Sequence, residues 1–142
     1  MTDFGIVFHP DSPRESTTAA LLHSSILAAG YSVEARALTP ALSAATVLEG
    51  QLSASRCIVV ILSAATTREL ELAVLHLKLK TAPAKIIPAR IDNQTFGPLL
   101  EAYQMIRLNP DDWSASQDEV AKLIRDGLGR NRRPDSPPPF PG

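Results

Sequence analysis

The chain has 142 residues, 44% of them hydrophobic and 20% charged, with a formal net charge of −1. That length suits one α/β domain with a real core and not two, and a charge so near neutral excludes nucleic acid as the default partner, because phosphate binding needs a basic surface. The single cysteine, Cys57, excludes an internal disulfide and reads as an inert core thiol in a reducing compartment.

The first strand is read over "FGIVF", Phe4 to Phe8, and ends in "HPDSP". Ser12, Pro13 and Glu15 then give a helix start, with a serine cap, a proline in the first turn and a glutamate three residues after the serine. Ala20, Leu21, Ser24, Ile26, Leu27 and Ala28 supply its expected apolar face, and Gly30 its left-handed stop. "YSVEARA" reads as the second strand. Thr39 and Pro40 repeat the cap-then-proline device ahead of a weaker helix from about Ala41 to Leu52, with Leu42, Ala45, Val47, Leu48 and Leu52 inward. "CIVVIL" is a continuous apolar run, as expected of a central parallel strand covered on both faces.

A helix with Leu70, Ala73, Val74 and Leu77 at helical spacing follows and runs to about Lys80, with Pro83 marking its end. "KIIPARI" is the fourth strand, where Pro88 removes one ladder donor and predicts a bulge or an edge. The loop "DNQTFGPLLEAY" leads to a short fifth strand, "QMIRL". Ser116 and Glu119 form a second capping box, and Val120, Leu123, Ile124 and Leu128 the last apolar stripe. The expected domain is 1–129; the proline-rich, charged 130–142 reads as a disordered tail or linker. No stretch approaches the ~18 apolar residues of a membrane helix, and the amino terminus lacks a signal peptide's layout, so the expected location is cytoplasmic, with no membrane partner.

Five strands alternating with helices imply a flavodoxin-like, doubly wound parallel sheet of order 2-1-3-4-5, with helices on both faces. Ligands of such sheets bind beyond the carboxyl ends of the strands, where the order reverses, here between the first and third strands. Phe8, His9, Pro10 and Asp11 leave one side of that point and Ser63, Ala64 and Ala65 the other. Glu69 and Glu71 follow on the next helix, where a helix's first turn favours acids in any case. A phosphate-accepting receiver would need an aspartate where Ser63 stands. A dinucleotide loop would need glycines that "HPDSPRES" lacks. A flavin-phosphate loop would rest on Ser12, Ser16, Thr17 and Thr18, again without glycine. His9, His23 and His76 show no metal-ligand spacing and there is no hydrolase elbow, so no metal and no bound cofactor is expected.

Over roughly residues 3 to 128 the chain resembles the Toll/interleukin-1 receptor (TIR) domains, the bacterial ones in particular. "DFGIVFHPDS" resembles the family's first box, and "AAGYSV" its glycine turn. "LTPA" stands at its BB loop, "SASRCIVVILS" resembles its "S-x-x-x-x-V-V-L-S" segment, and "ELELA" resembles the helix that bears the catalytic glutamate. "KIIPARID" resembles "IIPI-x-D", and "YQMIRL" and Trp113 fall where comparable residues lie.

The resemblance implies cleavage of the nicotinamide–ribose bond of NAD+, which is substrate and not cofactor, to ADP-ribose or a cyclic product. It implies Glu69 as the catalytic carboxylate, because Leu70 and Ala73 stand at the family's offsets. Glu71, the alternative, fits those offsets less well and points about 160° away on a helix. Phe8, His9, Asp11 and Ser63 are the implied substrate contacts. Leu38, Thr39, Pro40 and Ala41 are the implied self-association loop, with another copy or another TIR protein as partner and an assembly-activated role in immunity or antiphage defence. Ala65 stands where the family often has an aromatic, a departure that favours a non-catalytic interaction module as the second reading.

Overall fold

The computed structural model describes residues 1–81, 85–103 and 105–131, with side chains through Gly127. In chain order the elements are β1 (Thr2–Phe8), α1 (Pro13–Ala28), β2 (Val33–Ala37), α2 (Ala44–Ala54), β3 (Ser55–Leu62), α3 (Arg68–Lys80), β4 (Ile86–Arg90), α4 (Pro98–Glu101), β5 (Ile106–Arg107), a 3₁₀ turn (Trp113–Ser116) and α5 (Gln117–Asn131). The strands form one sheet of order β2-β1-β3-β4-β5, parallel at every pairing. This is the flavodoxin-like order expected from the alternation of strands and helices.

The alternation of side chains along a strand sends neighbours to opposite faces, and both faces here are covered. Phe4, Ile6, Cys57, Val59 and Ile61 pack beneath Ala19, Leu22 and Ile26 of α1 and Val120 and Leu123 of α5. Val7, Ile58, Val60 and Leu62 pack beneath Ala44, Val47 and Leu48 of α2 and Leu70, Ala73 and Val74 of α3. From Cys57 to Leu62, β3 has no exposed residue, which is why its sequence is an unbroken apolar run. Burial also pushes the Cys57 thiol up to about 12, so it stays protonated and unreactive in the folded chain.

Local signals hold at some helix ends and fail at others. Gly30 has φ +94°, and the Tyr31 and Gly30 amides donate to the Ile26 and Leu27 carbonyls, a Schellman closure of α1. The inner face of α1 is Glu15, Thr18, Ala19, Leu22 and Ile26, whereas Leu27 of the expected stripe is 52% exposed. Two of these inward residues are polar, so apolarity misreads the face. α2 starts after Ser43, whose side chain accepts from the Thr46 amide, and not after Thr39. Thr39 to Leu42 instead form a turn closed by Leu42 N–H to Thr39 O at 3.3 Å, leaving Leu42 and Ala45 exposed. A serine can accept from the amide three residues on without any proline, and here it outcompetes the earlier signal.

Ser116 does not complete a box with Glu119; its hydroxyl accepts from the Asn109 amide at 2.7 Å, joining the 3₁₀ turn ahead of α5 to the segment that follows β5. The segment before β5, expected as a loop throughout, contains the short helix α4. Pro88 lies inside β4 between β3 and β5, not at an edge, but pairing to β5 starts only at Ala89. Arg90 O accepts from Leu108 N–H, and Ile91 N–H returns to Leu62 O. Strand alternation therefore turns the Pro88 nitrogen towards the side where β5 has not yet begun. α5 runs on to Asn131, past Gly129. Pro83 and 132–142 lie outside the described residues, as does the Leu128 side chain. No described helix is long and apolar enough to cross a membrane.

Gly5 sits where β1 passes beneath α2. A Cβ there would lie 2.5 Å from Gln51 Oε1 and 2.8 Å from Ser55 Oγ, and both residues are buried. Gly5→Ala is expected to destabilise the domain by about 1–3 kcal/mol through overpacking. Urea unfolding would show this as a lower midpoint at unchanged slope.

Candidate functional site

Beyond the carboxyl ends of β1 and β3, three segments converge. The β1–α1 loop supplies His9, Pro10 and Asp11, the β2–α2 loop supplies Leu38 to Ser43, and the start of α3 supplies Thr67, Glu69 and Leu70. Together with Ala44 they line a cavity of about 480 Å³. The loops are fixed by backbone contacts: Leu38 N–H donates to Phe8 O at 2.8 Å, linking the two walls. The β3–α3 turn is held by Ser63 N–H to Thr66 Oγ1 at 2.9 Å and by Ala64 N–H to Asp92 Oδ2 at 2.8 Å.

The two candidate glutamates have separate surroundings. Thr67 caps α3, its side chain accepting from the Leu70 amide, so Glu69 is the second helical residue. Its Oε1 accepts from the Ala44 amide, the first of α2, at 3.2 Å. The carboxylate thus lies at the amino ends of two helices, where peptide dipoles favour negative charge. Glu69 is exposed and lines the cavity mouth.

Glu71 faces α4. Its Oε1 accepts from the Gly97 amide at 2.8 Å and lies 3.7 Å from Arg68, with the side chain only 13% exposed. Glu101 brackets the same turn from the other side, accepting from the Phe96 amide at 2.8 Å and from Arg90 at 2.6 Å. The Phe96 amide, aided by the Arg90 charge, holds the Glu101 carboxyl below the usual carboxylate range. Glu71 does not line the cavity.

The other expected contacts divide in the same way. His9 and Asp11 line the cavity; Phe8 and Ser63 do not. Phe8 packs against the α1/α5 core. Ser63 is buried and donates to Glu15 Oε2 at 2.5 Å. Leu38, Thr39, Pro40 and Ala41, expected as a self-association loop, form one wall of the cavity. From the sequence, Glu15 is expected only as part of a helix cap. In the structure it is fully buried and reaches His9 and Ser63. The one available signal was an acid at a position in phase with Ala19, Leu22 and Ile26. Among the described residues, no group of three His, Cys, Asp or Glu is placed to hold a metal ion.

Neither a family model nor a curated protein sequence matches the chain. Solved structures do match. The crystal structure of the TIR domain of the Toll-related receptor TRR-2 from Hydra magnipapillata superposes with a TM-score of 0.61 at 18% identity, covering 88% of this chain and 99% of that one. The sheet order and flanking helices are therefore those of the TIR fold.

The division between the glutamates predicts different costs on removal. Glu71→Ala takes a charged acceptor from the Gly97 amide and is expected to cost about 1.5–3 kcal/mol. Glu69→Ala, which gives up the Ala44 amide contact at an exposed position, is expected to cost less, about 0.3–1 kcal/mol. Urea unfolding of the two variants side by side checks this.

Proposed function

We propose that the chain is a TIR domain that cleaves the nicotinamide–ribose bond of NAD+, with Glu69 as the catalytic carboxylate. The observation that carries this reading is the placement of Glu69 in the cavity at the switch point, across from His9 and Asp11, while Glu71 is bound to α4. Loss of nicotinamide leaves an oxocarbenium-like ribose, which a nearby carboxylate stabilises. The same oxygens can orient the attacking water, or a hydroxyl where a cyclic product forms. Nicotinamide departs from a cationic pyridinium, so no strong general acid is required, and one carboxylate suffices. His9 and Asp11 are the proposed substrate contacts.

Glu69 is exposed, and Ala65, four residues before it in the chain, is exposed as well. A carboxylate in water is screened more than one in a closed site. The proposed active form is therefore an assembly in which a neighbouring copy covers the mouth, in a bacterial immune or antiphage effector acting in the cytoplasm. Incubation with NAD+ and product analysis tests the chemistry. Glu69→Ala is expected to lower turnover by about 10²–10⁴-fold and Glu71→Ala to leave turnover largely intact once folded protein is matched. Equal turnover by wild type and Glu69→Ala would remove the assignment.

The loop favours a second reading, a non-catalytic module that signals by self-association with itself or another TIR protein. Its tip, Thr39 to Ser43, is exposed, and Leu42 presents 53% of its surface. Under either reading Pro40→Asp places a charge at the contact and is expected to abolish assembly. An unchanged mass distribution by light scattering would count against the loop as the contact.

A further inference from the structure

Behind the cavity lies a polar cluster that the proposed chemistry leaves without a role. Glu15, on the first turn of α1, has a side chain with no exposure at all. Its Oε1 accepts from the His9 amide at 2.8 Å, and its Oε2 accepts from Ser63 Oγ at 2.5 Å. Ser63 Oγ itself accepts from the Ala65 amide at 3.0 Å, so the hydroxyl proton is directed to Glu15. His9 Nδ1 lies 3.2 Å and 3.3 Å from the two oxygens of the same carboxylate.

An ionised carboxylate only accepts hydrogen bonds, so the atom facing both its oxygens must be the donor. That places the ring proton of His9 on Nδ1. In a neutral imidazole the other nitrogen is then a bare acceptor. The Nδ1 edge is turned to the buried carboxylate, and His9 is only 17% exposed along its side chain yet lines the cavity. The Nε2 edge is the part of the ring left for the cavity.

We propose that Glu15 is a positioning residue that locks His9 in the Nδ1–H form, so that Nε2 offers the cavity an acceptor for a ribose hydroxyl of the bound nucleotide. The ribose contact rests on the NAD+ reading above; the lock on the ring does not. Ser63 donates to the second carboxylate oxygen and holds Glu15 in place from outside the cavity, without setting the ring proton. The other titratable groups that line the cavity, Asp11 and Glu69, bear no donor when ionised and cannot take the place of a ribose hydroxyl at Nε2. Glu15→Gln keeps the shape of the side chain but presents an amide N–H₂. Turned towards Nδ1, that amide donates and drives the ring proton to Nε2, converting the acceptor into a donor.

Nitrogen NMR of the full chain, with His9 identified by the loss of its signals in His9→Asn, reads the tautomer of the neutral ring directly. The expected wild-type result is a proton on Nδ1 and a bare Nε2. Glu15→Gln is expected to invert the pattern, and Ser63→Ala to preserve it. A protonated Nε2 in the wild type would overturn the proposal without need of any variant. A wild-type pattern kept in folded Glu15→Leu, which removes both acceptors from Nδ1, would also overturn it. Added NAD+ is expected to shift Nε2 in the wild type and to bind about tenfold more weakly to Glu15→Gln. Shifts at the Thr67 and Leu70 amides with Nε2 unmoved would overturn the ribose contact and leave the NAD+ reading standing. No shift anywhere would overturn the NAD+ reading and the contact with it, and the tautomer alone would then decide the role of Glu15.

Discussion

A carboxylate without access to water has to be met by donors, and Glu15 is met by the His9 amide, the His9 ring and the Ser63 hydroxyl. Those donors come from the carboxyl ends of β1 and β3, while Glu15 itself belongs to α1. One buried side chain therefore joins the three segments that surround the switch point of the sheet. Removing a donor would leave a charge in a low-dielectric setting, which is far costlier than the loss of an ordinary hydrogen bond. The outline of the cavity, and the direction in which His9 enters it, follow from satisfying this group.

The sheet beneath makes that arrangement possible. β1 and β3 are covered on both faces, and Gly5 lets Gln51 and Ser55 approach β1 more closely than any side chain at that position would allow. Gly127 plays the matching part on the other face, where a Cβ would lie 2.9 Å from the Phe4 ring and 3.1 Å from Cys57 Sγ. Helices drawn close to both faces hold the loops at the carboxyl edge to a narrow range of positions. The cavity is thus a product of core packing, although its lining is largely loop.

The glutamates on α3 illustrate how helical phase separates functions that adjoin in sequence. Two positions along a helix are about 200° of rotation, so Glu69 and Glu71 face different neighbours. One meets α2 and the cavity mouth; the other closes the amino end of α4. The same phase leaves Leu72 and Leu79 exposed on the outer side of α3.

From the sequence alone, the alternation of apolar runs with capped helices determined the order of the five strands and of the longer helices between them, and with it the order of the sheet, though not the short α4. Period and punctuation are local properties, and a parallel sheet built from right-handed crossovers leaves few other arrangements. The choice between neighbouring signals was not local. Ser43 took the cap that Thr39 and Pro40 also offered, and Ser116 turned to Asn109 instead of Glu119. Glu15, in place of closing its own helix, reached across to β1 and β3. In each case several partners lay within reach along the chain, and only the packing of elements distant in sequence decided which hydrogen bond could form without leaving a buried polar group unpaired.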